Sequence, residues 1–293
     1  MNSLRLRHWI LLLALVTAPS VLARQAAPQA FQGEPKWQPL FQGVDYAEVS
    51  AKEPRLMRGH AVRIALTAPG ISFLATPHID GKPTKTAGMK TSTFLTTHRC
   101  QVAINGAPFN PVRNEEGQEH DVVGLQVSRG EVISKGNDKY DALLLTKDNK
   151  VRVARPPFEL KDVYNAVGGF QVVLEKGVVL EKTPDYNKGP VHPRSGAGIS
   201  ADGKTLYLLA IDGRQEGFSM GASTKEVGAW LKALGAADGI NLDGGGTTTL
   251  VVADADGKAK VLNQPIHGGK AGTERPAASH LGVFARPLGK DAK

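Results

Sequence analysis

The sequence predicts an α+β fold: a single domain on a mixed, largely antiparallel β-sheet with few helices. Two observations carry this. Short apolar runs rich in β-branched residues outnumber helical patterns along the 293 residues. Many of these runs are separated by turns of only a few residues containing Gly, Asn or Asp, which suit hairpins and are too short for crossovers.

The chain opens with Arg5, Arg7 and His8 ahead of the apolar run Trp9 to Val16, and Val21-Leu22-Ala23 then supplies small residues at cleavage spacing. The run is shorter than a bilayer span, so residues 1–23 read as a secretory signal, with a retained anchor as the alternative. The expected destination is secreted or periplasmic, with no membrane span after cleavage. Residues 24–40 read as a polar linker and 41–288 as the folded domain. Within the domain, Ala61 to Leu66 and Ile71 to Thr76 read as strands divided by Ala68-Pro69-Gly70. Four hairpins are expected: Val122 to Val127 with Glu131 to Ser134, Ala142 to Thr146 with Val151 to Ala154, Val172 to Leu174 with Val178 to Leu180, and Gly196 to Ser200 with Thr205 to Ile211. One helix is expected near Thr91 to His98. A clearer one runs from Ser223 to Leu234, where Ser223-Thr224-Lys225-Glu226 forms a capping box and Val227, Trp230, Leu231 and Leu234 make one apolar face. Gly235 supplies its stop.

Composition excludes several classes. The formal net charge is +8, but the positive residues form no run and are not interleaved with aromatics, which argues against nucleic acid. An anionic substrate or an acidic envelope polymer fits better. The single cysteine, Cys100, leaves no internal disulfide and reads as a buried inert thiol.

Chemistry concentrates where polar residues interrupt strand ends. In Asn241-Leu242-Asp243-Gly244-Gly245-Gly246-Thr247-Thr248, an apolar strand delivers an acid into three glycines and then threonines. Glycines such as Gly244 and Gly245 let a ligand approach the backbone, and Thr247 offers a hydroxyl. The loop suits a sugar or a phosphate; a tight turn between strands is the other reading. Asn105-Gly106 ends another strand, in a position for sugar binding or for simple turn chemistry. His192 and Arg194, two residues apart, point the same way in an extended chain, and Arg194 can hold a phosphate bidentately. Asp212-Gly213-Arg214 ends a further strand, and Asp212 with Arg214 can equally pair with each other.

Taken together, these segments resemble the phosphodiester glycosidase family. Ala103 to Gly106 with Phe109, Ala166 to Gly169, His192 to Gly198, Asp212 to Arg214, Gly221 to Glu226, Asn241 to Thr248 and Glu274 to Gly282 match its elements in order over roughly residues 60 to 286. Ala107-Pro108 departs from the usual Gly-Phe. The resemblance implies hydrolysis of a sugar-1-phosphodiester, free or polymer-linked, without a cofactor. It implies that Asp243 and Asp212 stand near the anomeric carbon and that His192 is a proton donor or phosphate ligand. Arg194 and Arg214 would hold the phosphodiester, and Asn105, Asn241 and Thr247 would position sugar or phosphate. Two alternatives stay open: a non-enzymatic envelope module that binds glycan, and a metal-dependent phosphodiesterase using Asp212, Asp243 and His192, although no compact His/Asp ligand motif occurs. Asp254-Ala255-Asp256-Gly257 lacks the remaining acids of a calcium loop and reads as a hairpin turn.

Overall fold

The computed structural model describes residues 30–180 and 191–289. The expected signal, 1–23, lies outside the described residues. Among the described residues three large antiparallel sheets enclose a shared apolar core, beside two small ones of two and three strands. The largest has eight strands in the order Gln38–Phe41, Val44–Ala51, Met57–Ala65, Thr205–Ile211, Arg194–Ile199, Asp238–Asn241, Gln171–Glu175, Val178–Val179. The second runs Glu131–Lys135, Leu125–Ser128, Val163–Gly169, Asp141–Thr146, Val151–Ala154. The third runs Ala259–Val261, Leu250–Ala253, Val102–Asn105, His280–Phe284, Ser72–Ala75. Val62, Ile64, Leu208 and Ile240 of the first sheet, Leu143 and Val167 of the second, and Ile104, Leu250 and Leu281 of the third meet in one buried cluster.

Expectation and structure differ instructively. All four hairpins form, though the first begins at Leu125 because Val122 ends a separate strand, Glu119–Val122, that pairs with Phe109–Asn110; the two helices are Thr91–His98 and Thr224–Leu234. The sheets, however, are not mixed: every strand ladder among the described residues is antiparallel, and the one parallel contact is an isolated bridge between Ile266 and Thr273. Ala68-Pro69-Gly70 does not close a hairpin. It sends the chain from the first sheet to the third, because Met57–Ala65 already has Val44–Ala51 on one side and Thr205–Ile211 on the other. Of the segment read as linker, 24–40, the part from residue 30 onward is described and is ordered against the domain: Phe31 is buried edge-on against Trp230, and the first strand begins at Gln38.

The helix Thr224–Leu234 covers the outer face of the large sheet with Val227, Trp230, Leu231 and Leu234. Its capping box is complete. Ser223 Oγ accepts from the Glu226 amide at 3.3 Å, and Glu226 Oε2 accepts from the Ser223 amide at 2.7 Å. Glu226 also pairs with Arg55, and Gly235 ends the helix at φ +114°, which a residue with a Cβ adopts only under strain. Among the described residues no helix is long and apolar enough to cross a membrane.

Candidate active site

The site forms where four neighbouring strands of the large sheet end on one side. Thr205–Ile211 leaves through Asp212-Gly213-Arg214, and Arg194–Ile199 enters from His192-Pro193. Asp238–Asn241 leaves toward Asp243, and Gln171–Glu175 enters from Phe170. The ladder continues past the regular strands: the Leu242 amide donates to Ser195 O at 2.9 Å, and the Phe170 amide to Asn241 O at 2.8 Å. Asp243 then crosses to the third sheet, its amide donating to Gly106 O at 2.9 Å.

The Asp243 carboxylate sits at the base of this end. Its Oδ2 accepts the Thr247 hydroxyl at 2.7 Å. Burial pushes its pKa up to about 6, against the opposing pull of the Thr247 and Gly244 hydrogen bonds and the charge of Arg275. Gly245 to Thr247 form a single 3-10 turn, with Gly245 at φ +65°. The turn is covered by cations. A Cβ on Gly245 would lie 3.1 Å from Arg214 Nη2, and one on Gly246 would lie 2.7 Å from Arg275 Nη2. Absence of side chains here is what lets two guanidinium groups rest on the loop. Gly244 is different: a Cβ there would meet the Pro193 carbonyl at 2.7 Å, so that glycine serves close backbone packing.

Each of these two arginines is braced by a histidine. Arg214 donates to His192 Nδ1 from Nε at 3.3 Å and from Nη2 at 3.1 Å. Arg275 Nε donates to His267 Nδ1 at 3.2 Å, and His267 Nε2 meets Asn114 Oδ1 at 3.0 Å. A guanidinium only donates, so both rings accept at Nδ1 and carry their proton on Nε2. Burial and then the neighbouring arginines lower the pKa of His192 and of His267, which keeps both neutral. Arg194 lies beside them, its Nε donating to Ala222 O at 2.9 Å. Burial, then the charge of Arg214, lowers its pKa to about 10, while Glu226 acts in the opposite sense. Among the described residues none of Arg194, Arg214 and Arg275 has a carboxylate within salt-bridge distance, unlike Arg55, Arg63 and Arg155. Two guanidinium groups, Arg214 and Arg275, lie over the glycine turn with Arg194 beside them, and with no carboxylate partner among the described residues they are available to an anion.

Several expected site residues do other work. Asp212 does not join Asp243: it is 1% exposed, and its Oδ1 accepts from Asn263 Nδ2 at 3.0 Å and the Gln264 amide at 2.8 Å. Its Oδ2 faces His60 Nε2 at 3.5 Å, and His60 Nδ1 lies 2.8 Å from the Tyr46 hydroxyl. Asn263 Nδ2 also donates to Thr248 O, so Asp212 ties the loop carrying Arg214 to the segment ahead of His267 and to the end of the glycine turn. Asn105 is fully buried, donating to Asp243 O at 2.7 Å and accepting from Ser195 Oγ and the Thr249 amide. It fixes the backbone of Asp243 from within the core. Asn241 is also buried, its Nδ2 on Leu242 O at 3.1 Å. Thr247 is committed to Asp243 and Gly244 O. Arg275 and His267 were missed as site residues. Only the Glu274-Arg275-Pro276 segment hinted at the first, and Glu274 anchors it by accepting from the Ser92 amide and hydroxyl at the start of the first helix. No group of three or more His, Cys, Asp or Glu side chains among the described residues is arranged to hold a metal ion, so Asp212, Asp243 and His192 do not make a ligand set. Surface depressions of about 750 and 330 Å³ beside the Asp141–Thr146 strand hold none of these groups.

The Asp243 carboxylate and the arginines beside the glycine turn thus gather at one end of the β-architecture, and comparisons with known proteins place the chain in a family. Residues 98–284 match the phosphodiester glycosidase family, and the chain belongs to it. It shares its fold with the zebrafish N-acetylglucosamine-1-phosphodiester alpha-N-acetylglucosaminidase catalytic domain auto-inhibited by its pro-peptide, at 20% identity and a TM-score of 0.65 over 85% of each chain. A Burkholderia pseudomallei protein described as exported aligns at 14% identity and a TM-score of 0.57, over 78% of this chain and 74% of that one. A Synechocystis protein aligns at 16% and 0.51, over 85% and 64%. No curated protein matches the sequence.

Proposed function

We propose that this chain is an exported hydrolase that cleaves a sugar-1-phosphodiester, releasing the sugar and leaving a phosphomonoester on the acceptor. The observation that carries the reading is the Asp243 carboxylate beside a glycine turn that Arg214 and Arg275 cover and Arg194 adjoins, three arginines with no carboxylate partner among the described residues. Arg194, Arg214 and Arg275 hold the phosphate oxygens, and the Nε2 proton of neutral His192 adds a hydrogen bond to one of them. Asp243, ionised above pH about 6, faces the anomeric carbon. It stabilises positive charge there as the C1–O bond to phosphate breaks and takes the proton of the water that adds to C1. Electrons of the broken bond stay on the phosphate oxygen. Glycosidases of ordinary acetals use a second carboxyl as acid because alkoxide is a poor leaving group. A phosphomonoester is already a good one once its charge is held by arginines, so the sealed Asp212 is not required in that role. Asp212, Asn105 and Thr247 position the groups that act.

The experiment is a product-identified assay of the purified protein on a panel of sugar-1-phosphodiesters. Release of free sugar together with a phosphomonoester supports the reading. Binding of the same compounds without turnover supports a glycan-binding module in its place.

A further inference from the structure

We propose that Phe170, buttressed by Tyr140, is the platform on which the sugar ring of the substrate stacks; this rests on the reading above. The order of groups along the site edge of the large sheet is the argument. Neighbouring strands stand about 4.8 Å apart. Moving across the edge, the strand ends present Arg214, then His192 and Arg194, then Asp243, then Phe170. Cations, carboxylate and aromatic thus follow one another in the order of the strands. A glycosyl phosphate has the same order: phosphate, anomeric carbon, pyranose ring. With phosphate on the arginines and C1 at Asp243, the ring extends toward the strand that Phe170 introduces.

The local chemistry fits. Phe170 occupies the turn between Val163–Gly169 and Gln171–Glu175, and Gly169 before it packs directly on Asn241 O, where a Cβ would come within 2.7 Å. Phe170 is only half-buried, as is Tyr140, and their ring centroids lie 5.8 Å apart at 53°. Neither ring belongs to a core cluster. Tyr140 immediately precedes the strand that pairs Asp141 with Gly169, so the two aromatics flank the same strand end. A rigid aromatic face that stays partly open beside a polar site is suited to the apolar C–H face of a pyranose. Its ring carries no charge and no donor for phosphate, so its contribution falls on the sugar.

The test is calorimetric titration in an Asp243→Asn background, where the ligand survives. Inorganic phosphate and a methyl hexosyl phosphodiester are compared for Phe170, Phe170→Ala and Phe170→Trp. We expect Phe170→Ala to lose about tenfold in affinity for the hexosyl phosphodiester with phosphate affinity unchanged, and Phe170→Trp to retain both. Undiminished hexosyl phosphodiester binding in Phe170→Ala overturns the platform, as does a parallel loss of phosphate. A protein that keeps Asp243, hydrolyses none of the panel, yet shows the same discrimination between the two ligands overturns the hydrolase reading and leaves the platform standing.

Discussion

On the proposed mechanism, function and stability pull in opposite directions at Asp243. The folded protein raises this carboxyl from the usual range near 4 to about 6, so the native state holds the proton more tightly than the unfolded chain. Its contribution to stability is therefore whole below pH about 4 and is lost as pH rises through about 6, the range in which the catalytic form appears. Asp243→Asn should remove turnover while making the protein more stable than wild type at neutral pH, by on the order of 2 kcal/mol, with the difference vanishing near pH 4. Denaturant unfolding of both proteins across that range checks it; a difference that does not change with pH contradicts the assignment. In wild type, kcat/KM should rise with pH through an apparent pKa near 6, set by the same group. The sequence offers Asp243 as a lone acid between an apolar strand and three glycines, with a tight turn as the other reading. Asp212 looked equivalent, at the end of an equally apolar strand, and is not. Which way a strand-end side chain turns depends on its long-range partners, here His60, Asn263 and Gln264, and none is near it in sequence.

The glycine turn and the capped helix are the elements on which the three arginines depend. Gly246→Ala places a methyl group against the movable end of Arg275 and leaves the backbone undisturbed. It should weaken phosphate affinity several-fold while altering stability by less than about 1 kcal/mol. Gly244→Ala meets the Pro193 carbonyl and should instead destabilise the fold. A thermal melt with and without phosphate separates the two, and equal behaviour would refute the distinction. Ser223→Ala should cost about 1 kcal/mol through the lost cap. Because Arg194 hangs from Ala222 O next to that cap, phosphate affinity should fall as well. The helix was legible to the residue, since its cap, face and stop are all local signals. Hairpins were legible for the same reason. The allocation of strands to three sheets was not. Met57–Ala65 pairs with Thr205–Ile211 across about half of the chain, and nothing in either strand names the other.

Across the whole molecule, three antiparallel sheets share one core, and the chemistry collects at one end of it. Strand ends distant in sequence bring Asn105, Arg194, Arg214 and Asp243 there, while Arg275 arrives from the chain's last segment. That assembly explains why the sequence disclosed a set of candidates but not their roles. It also explains the missed Arg275, whose function follows only from lying over Gly246. With no disulfide, stability depends on this core. Cys100 is buried beneath Gly282 with its pKa pushed up to about 12, so it should resist thiol reagents until the protein unfolds. A ligand bound to the folded state alone stabilises by mass action. Phosphate should therefore raise the melting temperature of wild type, and do so less in Arg194→Ala, Arg214→Ala and Arg275→Ala.

The most direct test of the central claim is the rate of sugar release from a sugar-1-phosphodiester by wild type and Asp243→Asn, with phosphate affinity measured on both. We predict turnover in wild type, a loss of at least a thousandfold in the variant, and undiminished phosphate binding in both. Equal turnover by the two proteins would contradict the account.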